Sequence, residues 1–346
     1  MPFAFTRSPL VALSVLIGTC IGPAVADAAG EIANYLGDDR AARLEAGARG
    51  EGEVLMYTTG TQIDPILKRF QEKYPYIRLN VYRGGAPEVV KRMSEEYKAG
   101  RFTADTVILD SGGLGNLLEA GVLQPFRTPE EKFYGSDAIE PGRHWINAYE
   151  AYVSLGYNTK QISPAEAPKT YDDLLDPKWK GKMAVTGIGV TLPAWVGVVV
   201  LSKGEDYLRK LGKQDIKNYK ILGRALANLV VSGEVALSPT IYNSHMISSN
   251  AEGASVAWQA LGAVYAGTGG AALARNAPHP HAAMLLLDFF LSKEGQTMRQ
   301  AIGDSSARTD LASADKPKDI VYIARRPTYA QDFEKWSDLA AEVFGK

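Results

Sequence analysis

The first clear pattern of apolar and polar positions covers residues 53–74. An apolar run at 54–57 is too short for a helix and is followed by a turn of threonine and glycine at 58–61, which predicts a buried strand. Apolar residues then recur at three- and four-residue steps from Ile63 to Tyr74, which predicts a helix of about three turns. In open α/β sheets, ligands bind at such a junction between strand and helix.

The same order of strand, polar turn and helix recurs along the chain. In the first half, apolar runs at 77–81 and 104–109 each precede an amphipathic helix, and three such units predict a parallel sheet. In the second half, a strand at 182–185 leads through the turn 186–191 into a helix from Pro193. A later strand at 235–237 leads into the turn 238–243. Two separate sets of units predict two lobes.

Two extended stretches, 145–157 and 256–265, separate these sets and are predicted to cross between the lobes. We therefore predict an α/β fold in which each lobe has a mixed, mostly parallel sheet flanked by helices and a hinge joins the lobes. Lobe one is expected to comprise 27–147, with 264–305 returning to it. Lobe two is expected to comprise 148–263, with 306–346 packed on it.

Composition and charge exclude few functional classes of protein. The 346 residues are 46% hydrophobic and 22% charged, and 38 basic residues balance 39 acidic ones, as in ordinary globular proteins. A nucleic-acid-binding surface would need clustered basic residues, and the sequence has no such cluster. We therefore expect no nucleic-acid partner.

The N-terminus has the features of a secretory signal peptide. One positive charge, Arg7, precedes an apolar stretch at 10–20 and the small-residue site 24–26, so we predict a signal peptide at 1–26. A second site at 26–28 leaves the cleavage position open by two residues. Cys20, the sole cysteine, would be removed with this segment, which excludes disulfides and thiolate sites from the mature chain. The alternative is that Cys20 is a lipidated N-terminus.

Enzyme signatures are missing. The sequence contains no G-x-S-x-G, P-loop, G-x-G-x-x-G or H-E-x-x-H motif, and its paired carboxylates are adjacent in sequence, so on a helix they point apart. We predict a binding protein rather than an enzyme, with no resident cofactor.

Three segments resemble a known family. They are EGEVLMYTTG…ILKRFQEKYP, SLGYNTKQISPAEAPKTYDDLLDPKWKGKMAV, and VVSGEVALSPTIYNSH with APHPHAAMLLLDFFLSKEGQ. Together they resemble the extracellular solute-binding proteins of ABC importers, in the branch that includes the periplasmic ferric-ion-binding proteins. The resemblance implies the two-lobed periplasmic-binding-protein fold (Venus flytrap, type II), a periplasmic location and a monomer. It also implies closure on a solute and delivery to a membrane permease with its ATPase.

The resemblance leaves two ligand classes open. The ferric branch holds iron with adjacent tyrosines after the segment matching SGEV, and with a histidine and a carboxylate near the front of the chain. This chain has a single tyrosine after SGEV, and its turn at 58–61 has no histidine. Ferric iron would therefore need a rebuilt set of ligands: Tyr242, Asp110, Glu88 and His245.

The favoured ligand is a small polar or anionic solute held by turns from both lobes. Hydroxyls and backbone N–H groups would hold it, and Arg83 and Arg308 are further candidates for contact with a carboxylate or phosphate. The predicted binding residues are Thr59, Gly60, Thr61, Ser111, Gly112, Thr186, Gly187, Thr191, Thr240 and Tyr242.

Overall fold

The computed structural model describes residues 30–311, 317–321 and 329–345. The predicted signal peptide at 1–26, with Cys20, lies outside these ranges. No helix in the described ranges is long and apolar enough to cross a membrane.

Strands and helices alternate along most of the chain. The strands are β1 (Glu53–Thr58), β2 (Arg78–Arg83), β3 (Thr106–Asp110), β4 (Leu123–Gln124), β5 (Trp145–Asn158), β6 (Ala184–Thr186), β7 (Lys217–Tyr219), β8 (Leu237–Tyr242), β9 (Val256–Gln259), β10 (Val264–Ala274) and β11 (Ile320–Val321). The helices are α1 (Arg40–Glu51), α2 (Asp64–Lys73), α3 (Ala86–Lys98), α4 (Ser111–Glu119), α5 (Thr191–Lys203), α6 (Glu205–Leu211), α7 (Gly223–Ser232), α8 (Asn243–Ala251), α9 (Pro280–Leu291), α10 (Lys293–Ala301) and α11 (Tyr329–Phe344).

The main sheet has the order β2-β1-β3-β10-β5-β8. Strand β1 pairs in parallel with β2 and β3, while β10 is antiparallel to β3 and β5. The expected division into one sheet per lobe is not complete, because the long strands β5 and β10 carry backbone hydrogen bonds from one lobe into the other. Only the pair β6–β7 is separate among the described strands, and it joins β8 through a bridge from Met183 to Leu237.

The apolar cores divide where the long strands cross. Strands β1 and β3 are covered by α1, α2 and α9 on one face and by α3 and α4 on the other. The second lobe has its own core around the fully buried Trp195, where α5 packs against α11 through Gly197 and Trp336. Burial of apolar surface at about 25 cal/mol per Å² holds each lobe together.

Several boundaries differ from the expected ones. Strand β8 extends through Tyr242, although residues 238–242 were predicted as a turn. The stretch expected to cross back at 256–265 is divided between β9 and β10, so that β10 makes the crossing. The helix predicted from Pro193 begins at Thr191 and ends at Lys203, and it is followed by Gly204, whose φ of 85° favours glycine.

Candidate functional site

The ends of β1 and β3 in lobe one and of β6 and β8 in lobe two lie where the two lobes meet, and we call this region the cleft. Gln62, in the turn after β1, donates its side-chain amide to Ser248 Oγ at 2.8 Å and to Ser244 O at 3.4 Å. This contact brings the turn of lobe one against α8 of lobe two.

Two tyrosine rings lie on glycines of β10 at the floor of the cleft. A Cβ at Gly269 would overlap the Tyr149 ring, and a Cβ at Gly267 would lie 3.4 Å from Tyr242 Cε1. Burial raises the pKa of the Tyr149 phenol above its usual range, and the charge of Asp110 adds to the rise. The floor is therefore aromatic, and Tyr149 stays protonated at neutral pH.

The wall of lobe one is held by short polar contacts. Ser111 Oγ lies 2.9 Å from Thr268 Oγ1 and 3.5 Å from Asn147 Oδ1, so the start of α4 is tied to both crossing strands. Gly112 follows in the first turn of α4. Asp110 caps this helix, since Gly113 N–H donates to its carboxylate at 3.0 Å. Ser111 thus lies at the cleft but already has polar partners.

The turn after β1 lies at the front of the same wall. Gly60 N–H donates to Thr58 Oγ1 at 3.0 Å, and Thr61 is exposed while Thr59 is half-buried. Arg83 donates to Gly60 O at 3.0 Å and pairs with Asp64, so this candidate cation supports the turn.

On the wall of lobe two, Thr191 and Tyr242 lie together. Thr191 Oγ1 is 3.3 Å from the Tyr242 hydroxyl, which brings the first residue of α5 beside the residue that precedes α8. The His245 ring packs edge-on against Tyr242 with a centroid distance of 5.4 Å. Burial, assisted by the charge of Arg224, lowers the pKa of His245 to about 3. The imidazole is neutral at physiological pH.

Three predicted binding residues of lobe two have internal roles. Thr186 and Thr240 are fully buried; Thr186 Oγ1 donates to Ile221 O at 2.6 Å, and Thr240 Oγ1 accepts from Thr186 N–H at 3.2 Å. Gly187 packs on Asn218, and its N–H donates to Tyr219 O at 2.6 Å. Their polar groups join β6 to its neighbours and shape the turn that presents Thr191.

The four residues considered for iron are not brought into one group. Glu88 is exposed and accepts a hydrogen bond from the Tyr82 hydroxyl, and Asp110 caps α4. Tyr242 and His245 are in contact, but Nδ1 of His245 is buried without a hydrogen-bond partner among the described residues. Within the same residues, no cluster of three or more His, Cys, Asp or Glu side chains could hold a metal.

The candidate Arg308 has a structural role. Its side chain is 1% exposed, and it pairs with Glu130 and Asp310 and donates to Leu291 O at 2.9 Å. The guanidinium also covers the Phe133 ring. A buried arginine with these partners holds the chain after α10 against lobe one.

The cleft also contains residues that the sequence pattern did not indicate. Arg224 donates to Ser248 Oγ at 3.1 Å and to His245 O at 3.4 Å, and Gln62 meets the same serine from lobe one. Tyr149 lies in the apolar stretch that was interpreted only as a crossing strand. Strand β5 shifts its register against β10 between Asn147 and Tyr149, so regular alternation along the sequence does not identify the floor.

Several helices begin at the cleft without a side-chain cap. The N-cap residues of α2, α5, α7 and α8 are Ile63, Val190, Leu222 and Tyr242, and none of their side chains bonds the first turn. The lack of a side-chain cap is shared by α1, α3 and α6, whereas α4, which also begins at the cleft, is capped by Asp110. The α10 helix is capped by Ser292, and the first N–H groups of α9 donate to Glu51. Uncapped first turns leave backbone donors and positive helix ends available to a ligand.

Comparisons with known proteins found similar sequences and similar folds. The Fe(3+)-binding periplasmic protein of Serratia marcescens is 23% identical over 70% of this chain and 74% of its own length. The substrate-binding protein of an ABC transporter from Agrobacterium tumefaciens superposes with a TM-score of 0.71 at 16% identity, over 83% of this chain and 94% of that one. AfuA of Actinobacillus pleuropneumoniae, solved with fructose-6-phosphate, superposes with a TM-score of 0.63 at 21% identity, over 85% and 97%.

These similarities confirm the predicted fold, since the superposed proteins are type II periplasmic binding proteins. They also confirm the predicted resemblance to solute-binding proteins, a class that binds and transports its ligands. The family model described as bacterial extracellular solute-binding protein matches residues 103–335, most of the chain. The chain therefore belongs to the family of bacterial extracellular solute-binding proteins.

Proposed function

We propose that this solute-binding protein is the substrate-binding component of an ABC importer and captures a small anionic solute in the cleft. The observation that carries the proposal is that four uncapped helix N-termini come together, that of α2 from lobe one and those of α5, α7 and α8 from lobe two. Backbone N–H groups and helix dipoles at such ends favour a carboxylate or phosphate.

Capture requires contacts with both lobes. A ligand stabilises the closed form only to the extent that it binds that form better than the open one. Donors at the start of α2 lie on one side of the cleft, and those at the start of α5 lie on the other, beside Tyr242. An anion held between them would make both sets of contacts only when the lobes are together.

The family supports a proposal about partners and location. We propose a periplasmic protein, exported by the signal peptide at 1–26, that acts as a monomer and delivers its solute to a membrane permease and ATPase. Relatives that are described as periplasmic or as ABC-transporter components support this proposal.

The experiment is calorimetric titration of the ligand-free protein with small carboxylates and phosphates. Thr191→Val and Tyr242→Phe remove the two hydroxyls at the start of α5 and α8, and we expect each to weaken binding by about fivefold to tenfold. Tyr97→Phe is the matched control, because Tyr97 lies on α3 and packs against Phe102. If no anion binds, or if all three variants bind like the wild type, the proposal fails.

Ferric iron is the second candidate. Tyr149 and Tyr242 lie on neighbouring glycines of β10, and Asp110 pairs with Gly269 in the sheet, so two phenols and a carboxylate share the floor. Hard ferric iron prefers such oxygen ligands. Ferric citrate should then produce a phenolate-to-iron absorption band that Tyr242→Phe abolishes, whereas a colourless protein would exclude iron.

A further inference from the structure

Two aliphatic side chains are exposed at the edge of lobe two. Ile188 is 45% exposed and Leu222 is 53% exposed. The turns that carry them adjoin, because a Cβ at Gly189 would lie 3.6 Å from Leu222 Cδ2 and Thr186 Oγ1 donates to Ile221 O. We call the pair Ile188 and Leu222 the aliphatic rim.

The aliphatic rim continues into the candidate site. Gly223 follows Leu222, and a Cβ there would lie 3.7 Å from ring atoms of both Tyr242 and His245. The next residue is Arg224, which donates to Ser248 Oγ. An apolar edge, an aromatic face and a cation are thus adjacent on one wall.

The position of Leu222 has a cost in stability. Leu222 is the N-cap residue of α7, where serine, threonine, aspartate or asparagine would bond the first turn and add about 1 kcal/mol of stability. Val190 occupies the same position before α5. Aliphatic residues at both positions leave helix donors uncapped and place apolar surface directly beside them.

We propose that the solute is an anion with an apolar body, such as an aryl or branched-alkyl carboxylate or phosphate ester. The inference rests on the proposed function, because the acid group is assigned to the same helix N-termini and to Arg224. The apolar body lies on Tyr242 and the aliphatic rim. Charge complementarity at Arg224 favours this occupant over an apolar segment of another protein.

The test uses two pairs of probes that differ only in the apolar body: acetate with phenylacetate, and inorganic phosphate with phenyl phosphate. Calorimetry on the ligand-free protein should show at least tenfold tighter binding of the aryl member in one pair, and the pair identifies the acid group. In Ile188→Ala/Leu222→Ala, which removes the two aliphatic side chains without supplying a cap to α7, this ratio should fall below about threefold, while binding of the small anion is unchanged.

The variants also separate the possible outcomes. The Ile188→Ala/Leu222→Ala protein should keep the melting temperature of the wild type, because both side chains are exposed, so that loss of the ratio is not a folding defect. Leu201→Ala, at another exposed leucine on α5, is the control and should keep the ratio. If the small anions bind and the aryl probes bind no more tightly than they do, this inference fails and the proposed function stands. If the variant of the aliphatic rim keeps the wild-type ratio of aryl to small-anion affinity, this inference also fails, and the aliphatic rim is then assigned to contact with another protein. If no probe binds, both fail.

Discussion

At the residue scale, Gly269 shows how a missing side chain shapes the site. The Tyr149 ring occupies the space that a Cβ would need, and Asp110 lies across the sheet from the same glycine. Because the position is buried between strands, the ring has little room to move. The aromatic floor therefore depends on this glycine.

We predict that Gly269→Ala destabilises the protein by about 1–3 kcal/mol, because the methyl group would overlap the Tyr149 ring. Urea unfolding measures the change. Gly115→Ala is the control, since a Cβ there meets nothing within 4 Å and α4 favours alanine. A Gly269→Ala protein as stable as the wild type would contradict the packing described here.

Residue types alone did not separate ligand-facing hydroxyls from structural ones. Ser111 and Thr191 were predicted at the site and lie at the cleft, where Thr191 meets Tyr242. Thr186 and Thr240 follow the same pattern in sequence, yet their hydroxyls bond inside the lobe. A threonine at a strand end has both options, and only tertiary packing chooses between them.

At the element scale, one buried carboxylate joins two strands and a helix. Asp105, just before β3, is fully buried and accepts hydrogen bonds from Leu55 N–H of β1 and from His279 N–H before α9, both at 2.7 Å. Its carboxylate also lies 3.0 Å from His279 Nδ1. This bond raises the pKa of His279 above its ordinary value of 6.5.

A histidine whose pKa is raised by folding binds its proton more tightly in the folded protein. The ion pair with Asp105 therefore stabilises fully below pH 6.5, and its contribution is lost as the pH rises through the folded pKa. As the pH rises above 6.5, we predict that the free energy of unfolding falls by about 1 kcal/mol more in the wild type than in His279→Asn, because only the wild type loses the ion pair.

Urea unfolding at several pH values provides the measurement. His144→Asn is the control, because its ring also lies beside a carboxylate, Glu140 at 2.9 Å, on another part of lobe one. If the free energy of unfolding depends on pH in the same way in the wild type and in His279→Asn, the ion pair of His279 with Asp105 does not stabilise the protein.

Elements with a regular apolar period were predicted well, and β8 was not. The helix expected from 61–64 is α2, which begins at Asp64. In β8, Pro239 and its hydroxyl-bearing neighbours are typical of a turn, yet they form a strand. Its register against β5 shifts between the pairs Ser154–Ile241 and Gly156–Ser238, and Pro239 lies within this shift. Proline is tolerated at such an irregularity because no ladder bond is required from it.

At the scale of the whole molecule, Ser248 holds the lobes together. Its hydroxyl accepts from Gln62 of lobe one at 2.8 Å and from Arg224 of lobe two at 3.1 Å, and it donates to His245 O at 3.3 Å. The contact of Gln62 with Ser248 runs directly from one lobe to the other, so it favours the arrangement in which the lobes lie together. The latch consists of Gln62, Ser248 and Arg224.

We predict that Gln62→Ala shifts the ligand-free protein toward the open form. Small-angle X-ray scattering should give a larger radius of gyration than for the wild type, and affinity for the solute should fall by about fivefold, the value of one hydrogen bond. Gln71→Ala, on the exposed face of α2, should change neither quantity. An unchanged radius for Gln62→Ala would mean that the latch does not control closure.

The two-lobed plan could be predicted because each unit of strand and helix has its own apolar period. The contacts between units could not, since they depend on residues far apart in sequence. Gln62 and Ser248 are 186 positions apart, and neither has a distinctive pattern around it. Their meeting depends on how β5 and β10 orient the lobes.

The place of α9 has a consequence for how the chain is made. Pro280–Leu291 supplies much of the core beneath β1 and β3, although more than 150 residues, including most of lobe two, separate it from them. A ribosome must finish nearly the whole message before the first half can complete its interior. Until then its strands lack part of their cover, so chaperones have a long period in which to hold the nascent polypeptide.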